Sequence, residues 1–141
     1  MKKKLSILMI SFAIFAAVVT AFLVYNKPHR SVAEEEAEFT LPASELVEAF
    51  SEDESTADSV YSGKVVEIRG MLKDKMVSDG AAILFIGDTT QMIGVNCFLL
   101  EHQEDAYRTL QVGKQVTVKG ICNGLLLDVV LDKCIVKEDK Q

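Results

Sequence analysis

From Leu5 to Tyr25 the chain runs for 21 residues without a charged side chain, and no later apolar run approaches that length. As a helix rising about 1.5 Å per residue it would be roughly 31 Å long, close to the hydrocarbon thickness of a bilayer. Lys2, Lys3 and Lys4 precede it, and the positive-inside rule places that end in the cytoplasm and the remainder of the chain outside. The far flank, Asn26-Lys27-Pro28-His29-Arg30, is also basic, which reduces the asymmetry. A cleaved secretory signal has a similar layout, and Val19-Thr20-Ala21 could serve as its cleavage site. Phe22-Leu23-Val24-Tyr25 carry the apolar run past that point, which suits an uncleaved anchor over residues 5–25 behind a cytoplasmic stub of residues 1–4. Either reading exports the rest. A lipid anchor is not expected, because the first cysteine is Cys97.

Residues 26–40 read as a linker. The stretch Ser31 to Glu38, with Glu34-Glu35-Glu36, has the composition of a solvated spacer. From 41 to 62 the pattern turns helical: Leu46, Val47, Phe50, Ala57, Val60 and Tyr61 recur at spacings of three, four and seven, while Glu45, Glu48, Glu52, Asp53 and Asp58 mark an acidic face. Thr40 or Ser44 can cap the start of this helix and Gly63 can end it. The neighbours Asp53 and Glu54 invite acid-base or metal chemistry, but side chains next to each other on a helix point about 100° apart and cannot easily share one ligand.

Between 63 and 137 the period changes again, to short β-type runs separated by turn residues. Strands are expected over Lys64 to Leu72, Ala81 to Ile86, Ile93 to Leu99, Gln115 to Cys122 and Leu126 to Val136, with a helix over Glu101 to Leu110 between the third and the fourth. Ser78-Asp79-Gly80, Gly87-Asp88-Thr89 and Asn123-Gly124 supply the turns. Five strands with one helix after the third is the order of the OB-fold barrel. Gly70 and Gly120, inside strands, suit the bends of a small barrel. In the fourth strand Val116 and Val118 should face inward and Thr117 and Lys119 outward. The fold class expected is therefore mainly β, a five-stranded OB barrel behind an acidic helix and one transmembrane helix, with a short tail at 138–141.

Charge narrows the range of partners. The formal net charge is −6, yet every one of the 21 acids lies after residue 30, together with only ten Lys and Arg. That part of the chain sums to −11. Binding to nucleic acid normally needs a basic stripe that displaces counterions from phosphates, and none is legible here.

Several segments resemble one known family. Tyr61-Ser62-Gly63-Lys64-Val65-Val66-Glu67-Ile68-Arg69-Gly70 is one, Val112-Gly113-Lys114-Gln115-Val116-Thr117-Val118-Lys119-Gly120 another, and Cys122-Asn123-Gly124 followed by Asp128-Val129-Val130-Leu131 through Cys134 a third. Over roughly residues 40 to 137, including Asp53-Glu54, they look like the tRNA_anti-like family of OB-fold bacterial envelope proteins. The resemblance implies an exported binding domain, and here the hydrophobic helix stands where some relatives carry a lipid.

Candidate chemistry is sparse. An OB barrel that binds single strands stacks bases on aromatics of its second and third strands within a basic groove. Those strands offer Phe85 and Phe98, whose apolar neighbours suggest core positions, and no Lys or Arg occurs between Ala81 and Leu99. A weak binding face could involve Arg69, Lys73 and Lys119. His29 and His102 lack neighbours at metal-ligand spacing, and no nucleophile elbow, phosphate loop or zinc signature occurs, so no enzyme, metal or cofactor is expected. Cys97, Cys122 and Cys134 are either three buried thiols or one bridge plus a thiol. The OB strand order sets the third strand beside the fifth, which makes Cys97 with Cys134 the better pair. The expected protein is a non-catalytic module held to the membrane by its N-terminal helix, facing a protein or envelope component. An oligonucleotide-binding module and a thiol-redox protein are the alternatives.

Overall fold

The computed structural model describes residues 1–25 and 31–137, and the chain divides into two units, Met1–Ser31 and Val32–Gln141. The flank at 26–30, with His29, and the tail at 138–141 lie outside the described residues. The elements in order are α1 (Lys2–Tyr25), β1 (Phe39–Pro42), α2 (Ala43–Glu52), α3 (Glu54–Tyr61), β2 (Val65–Ser78), β3 (Ala81–Gly87), β4 (Val95–Leu99), α4 (Glu104–Thr109), β5 (Gln115–Leu125) and β6 (Val129–Lys137).

The first unit is α1. Over Ser6–Tyr25 it is long and apolar enough to cross a membrane, a property that a signal sequence near an N-terminus shares. Its polar interruptions are small, and the Thr20 hydroxyl donates to the Ala16 carbonyl at 2.8 Å, so that group needs no water.

In the second unit five strands close in the order β2-β3-β4-β6-β5, and a β2–β5 pairing seals the ring. With α4 between β4 and β5, this is the OB barrel expected from the strand order. The 14-residue β2 makes the closure possible, because Val65 to Met71 pair with β5 and Met71 to Ser78 pair with β3. Gly70 sits at that corner. A side chain there would come within 2.6 Å of the Ile86 Cγ2 and 2.9 Å of the Ala43 Cβ, so the glycine lets α2 seat its first residue against the barrel. Asp79 and Gly80, both at positive φ, make the expected tight turn into β3.

Three expectations are corrected. The single helix over 41–62 is two helices. Asp53 is extended, its carboxylate accepts from the Thr56 backbone N–H at 3.0 Å and from the Thr56 hydroxyl at 2.7 Å, and it thereby starts α3 while its own N–H still bonds Ala49. The end of the linker is β1, parallel to Val66–Arg69 of β2, with the Phe39 ring edge-on to Tyr61 at 5.0 Å. The reversal after β5 is not at Asn123-Gly124 but at residues 126–128. Gly124 bulges within β5 because α3 comes close, a side chain there falling 2.9 Å from Asp58 Oδ1. On β5, Thr117 and Lys119 take the outward positions that the alternation predicts, yet both are buried, as described below.

Leu46, Val47 and Phe50 of α2 join Ile68, Leu72, Leu84, Ile86, Val95, Val118 and Leu131 of the strands in one core. Val116 and Val118 face inward as the alternation predicts, and both are buried.

Candidate binding face

Strand alternation decides which side chains the barrel offers to solvent. On β3 and β4, Leu84, Ile86, Val95, Cys97 and Leu99 are buried in the core, so Ile83, Phe85, Asn96 and Phe98 take the outer face, where all four are half-buried. Phe85 and Phe98 are therefore not core residues, contrary to what their apolar neighbours suggested. Pairing sets the outer side chains in two rows. Met76 of β2 is opposite Ile83, which is opposite Phe98. Asp74 is opposite Phe85, Phe85 opposite Asn96, and Asn96 opposite Val130 of β6. Direct and diagonal neighbours in such rows lie within reach of aromatic side chains, so the surface acts as one patch.

The patch is apolar with polar edges. Lys73 occupies the bulge between Leu72 and Asp74, where its ammonium lies 5.9 Å from the Phe85 ring centroid and donates to the Asp88 carbonyl at 2.7 Å. That lysine ties the β3–β4 loop to the edge of the face. The Asp88 carboxyl is held below the ordinary carboxylate range by the Thr90 N–H and then by the Thr89 hydroxyl. Asn96 donates from Nδ2 to Asp128 Oδ2 at 3.1 Å, which fixes its amide at the opposite edge.

The three cations expected to form a weak basic face do not converge. Arg69 is exposed, bonds Gln115 Oε1 through Nε at 3.0 Å and lines a shallow cleft with Ser44, Met71 and Asp88. Lys73, in the β2 bulge, spends its ammonium on the Asp88 carbonyl at the edge of that cleft. Lys119 is buried, and its ammonium donates to the Glu35 carbonyl at 2.7 Å and the Ala33 carbonyl at 3.4 Å. It is occupied in pinning the chain's own arm, residues 32–36, across the outside of β5, and Thr117 beside it is buried too. Lys75, which the sequence did not single out, turns inward and donates to the Tyr107 and Leu110 carbonyls at 2.9 and 2.8 Å, closing α4.

All three cysteines are free and buried. The parallel β4–β6 pairing sets Cys134 opposite Leu99, close to Cys97, so the structure brings the expected pair together as thiols. Gly120 makes the space: a side chain there would stand 2.4 Å from the Cys134 Sγ. Burial, and then the hydrogen-bonded Cys97 thiol, push the Cys134 thiol well above its ordinary range. Burial also raises Cys122. His102 lies exposed in a left-handed turn ahead of α4. Among the described residues no three His, Cys, Asp or Glu side chains are placed to hold a metal ion.

The profile of the tRNA_anti-like family matches residues 1–136. No curated protein matches. Among solved structures, the chain is similar to a lipoprotein of Klebsiella pneumoniae subsp. pneumoniae provisionally described as nucleic acid-binding, with a TM-score of 0.63 and 20% identity over 79% of this chain and 100% of that one. It is also similar to an OBody bound to hen egg-white lysozyme, at a TM-score of 0.46 and 15% identity over 55% of this chain and 84% of that one. The asparaginyl-tRNA synthetase of Pyrococcus horikoshii matches at 0.42 and 21% identity over 56% of this chain and 21% of that one. The first of these likenesses is one of fold.

Proposed function

The chain belongs to the tRNA_anti-like family, and from that premise we propose that it is a membrane-anchored binding module. In this reading α1 spans the membrane with its N-terminus in the cytoplasm, the barrel stands on the other side, and no reaction is catalysed. The outer face of β2, β3 and β4 engages a protein or other envelope component through its apolar rows. One observation carries this choice: Met76, Ile83, Phe85, Phe98 and Val130 stand outward, while the stretch from Ala81 to Leu99 contributes no cation. Such a surface gains by burying aromatic and aliphatic area, as protein interfaces do at their centres. The runner-up is single-stranded nucleic acid. Its support is the outward position of Phe85 and Phe98, since stacking on such rings contributes roughly 1–3 kcal/mol per base. Against it stands the −11 charge of residues 31–141, which repels a polyanion within the Debye length of about 8 Å.

A photoreactive amino acid at position 98, compared with one at position 112, tests the face in intact membranes. A discrete protein adduct from position 98 alone is expected. A nuclease-sensitive adduct would transfer the assignment to nucleic acid. For topology, a C-terminal alkaline phosphatase fusion should be active, and a silent fusion beside an active cytoplasmic reporter would reverse the orientation.

A further inference from the structure

In the second unit, the most exposed large apolar side chains among the described residues are Met92 at 99%, Leu127 at 89% and Leu126 at 81%. They belong to two loops at one end of the barrel, the β3–β4 loop and the β5–β6 hairpin. These loops are joined. Asp128 Oδ1 accepts from the Gly94 N–H at 2.9 Å, its Oδ2 accepts from Asn96, and the Val129 N–H donates to the Gly94 carbonyl at 3.0 Å. The hairpin is closed by the Leu126 N–H on the Asp128 carbonyl at 3.0 Å. Three apolar side chains are thus held out on a braced support rather than on a floppy loop.

We propose that this tip dips into the surface of the bilayer that holds α1, burying Leu126, Leu127 and Met92 at the headgroup boundary. The inference rests on the reading of α1 as a membrane span. The tether argues for the lipid surface as the occupant. Because Lys119 pins Ala33 and Glu35 to the barrel, the seven residue steps from Tyr25 to Val32 set a maximum reach of about 23–25 Å. Lys119 is itself seven residues from Leu126 along β5, at most about 23 Å. The tether is therefore long enough to let the tip touch the bilayer and short enough to keep it near. Chain linkage of that length corresponds to an effective concentration in the millimolar range, at which a weak apolar contact is occupied. Residues 86–96 and 120–132 contain no Lys or Arg, so the contact is apolar and does not depend on anionic lipid.

The chain contains no tryptophan, which makes a single reporter available. Leu127→Trp in the full chain, reconstituted in phosphatidylcholine vesicles with and without brominated acyl chains, reads the contact directly. Val112→Trp, at the opposite end of β5, is the control. Leu127→Trp is expected to emit at shorter wavelength in vesicles and to lose most of its emission to the brominated lipid, while Val112→Trp keeps its own. If neither reporter is quenched although carbonate leaves the protein in the vesicles, the tip proposal fails and the anchor stands. Equal quenching of both would mean unspecific collapse onto the lipid and would also overturn it. Release by carbonate would overturn the anchor and the tip contact together.

Discussion

The two flanks of the barrel invert the usual meaning of outward residues. On the β2–β5 flank the outward positions Thr117 and Lys119 are polar, yet both are buried, and the lysine satisfies the Ala33 and Glu35 carbonyls of the chain's own arm. On the β3–β4 flank the outward positions Ile83, Phe85 and Phe98 are apolar, yet among the described residues they are only half-buried. A covered polar flank and an open apolar one differ in what is left to do: the first fastens the arm, and the second is the face proposed above for a partner.

The largest effect expected tests the inward side that both flanks share. Val118→Asp would place an unpaired carboxylate in the core, at a cost of several kcal/mol. The domain should lose its cooperative thermal transition, and a melt near that of the parent would break the register of β5. Next is the covered flank. Lys119→Met keeps an apolar stem but removes the ammonium that bonds the Ala33 and Glu35 carbonyls, at a cost of about 1–3 kcal/mol. Hydrogen exchange should accelerate over residues 32–38, including the Glu38 N–H that bonds Val65. Unchanged exchange there would mean that the arm is held by something else. The open flank should respond in the opposite way. Phe98→Ser should alter stability by less than about 1 kcal/mol, as substitutions away from the core usually do. It should nonetheless abolish the adduct formed from a photoreactive group at position 85.

A smaller effect concerns the helix break below the barrel. The Thr56 N–H and hydroxyl hold the Asp53 carboxyl below the ordinary aspartate range. A carboxyl depressed in the folded state stabilises it above the unfolded pKa and ceases to do so as pH falls through the folded one. The first turn of α3 should therefore loosen on acidification below the ordinary carboxylate range, read by the Thr56 amide resonance. Asp53→Asn should keep the cap and remove the pH dependence.

Much of this was legible in residues. The change from period 3.6 to period 2 near Gly63, the Asp79-Gly80 turn and the helix between third and fourth strands are local signals, and they placed the barrel. The Asp53 cap was also local: an acid followed three residues later by Thr56 can begin a helix, but the unbroken apolar spacing across it masked the break. The arm over β5 had no such signal, since a Glu-rich stretch reads as a spacer until a buried lysine 84 residues away is found bonding its carbonyl. Phe85 and Phe98 were misplaced for a related reason. In Ile83-Leu84-Phe85-Ile86 every residue is apolar, so alternation carries no information about which side faces the core. Only the pairing of Leu84 with Cys97 and of Phe85 with Asn96 settles the matter.

What the open flank receives is tested most directly by fluorescence anisotropy with labelled single-stranded DNA and RNA on residues 31–141. At physiological salt no saturable binding is predicted, because the face carries aromatic side chains without a basic groove and the domain is strongly acidic. Micromolar binding that weakens as salt is raised, and that Phe85→Ala or Phe98→Ala abolishes, would contradict the account and make this face a nucleic-acid platform.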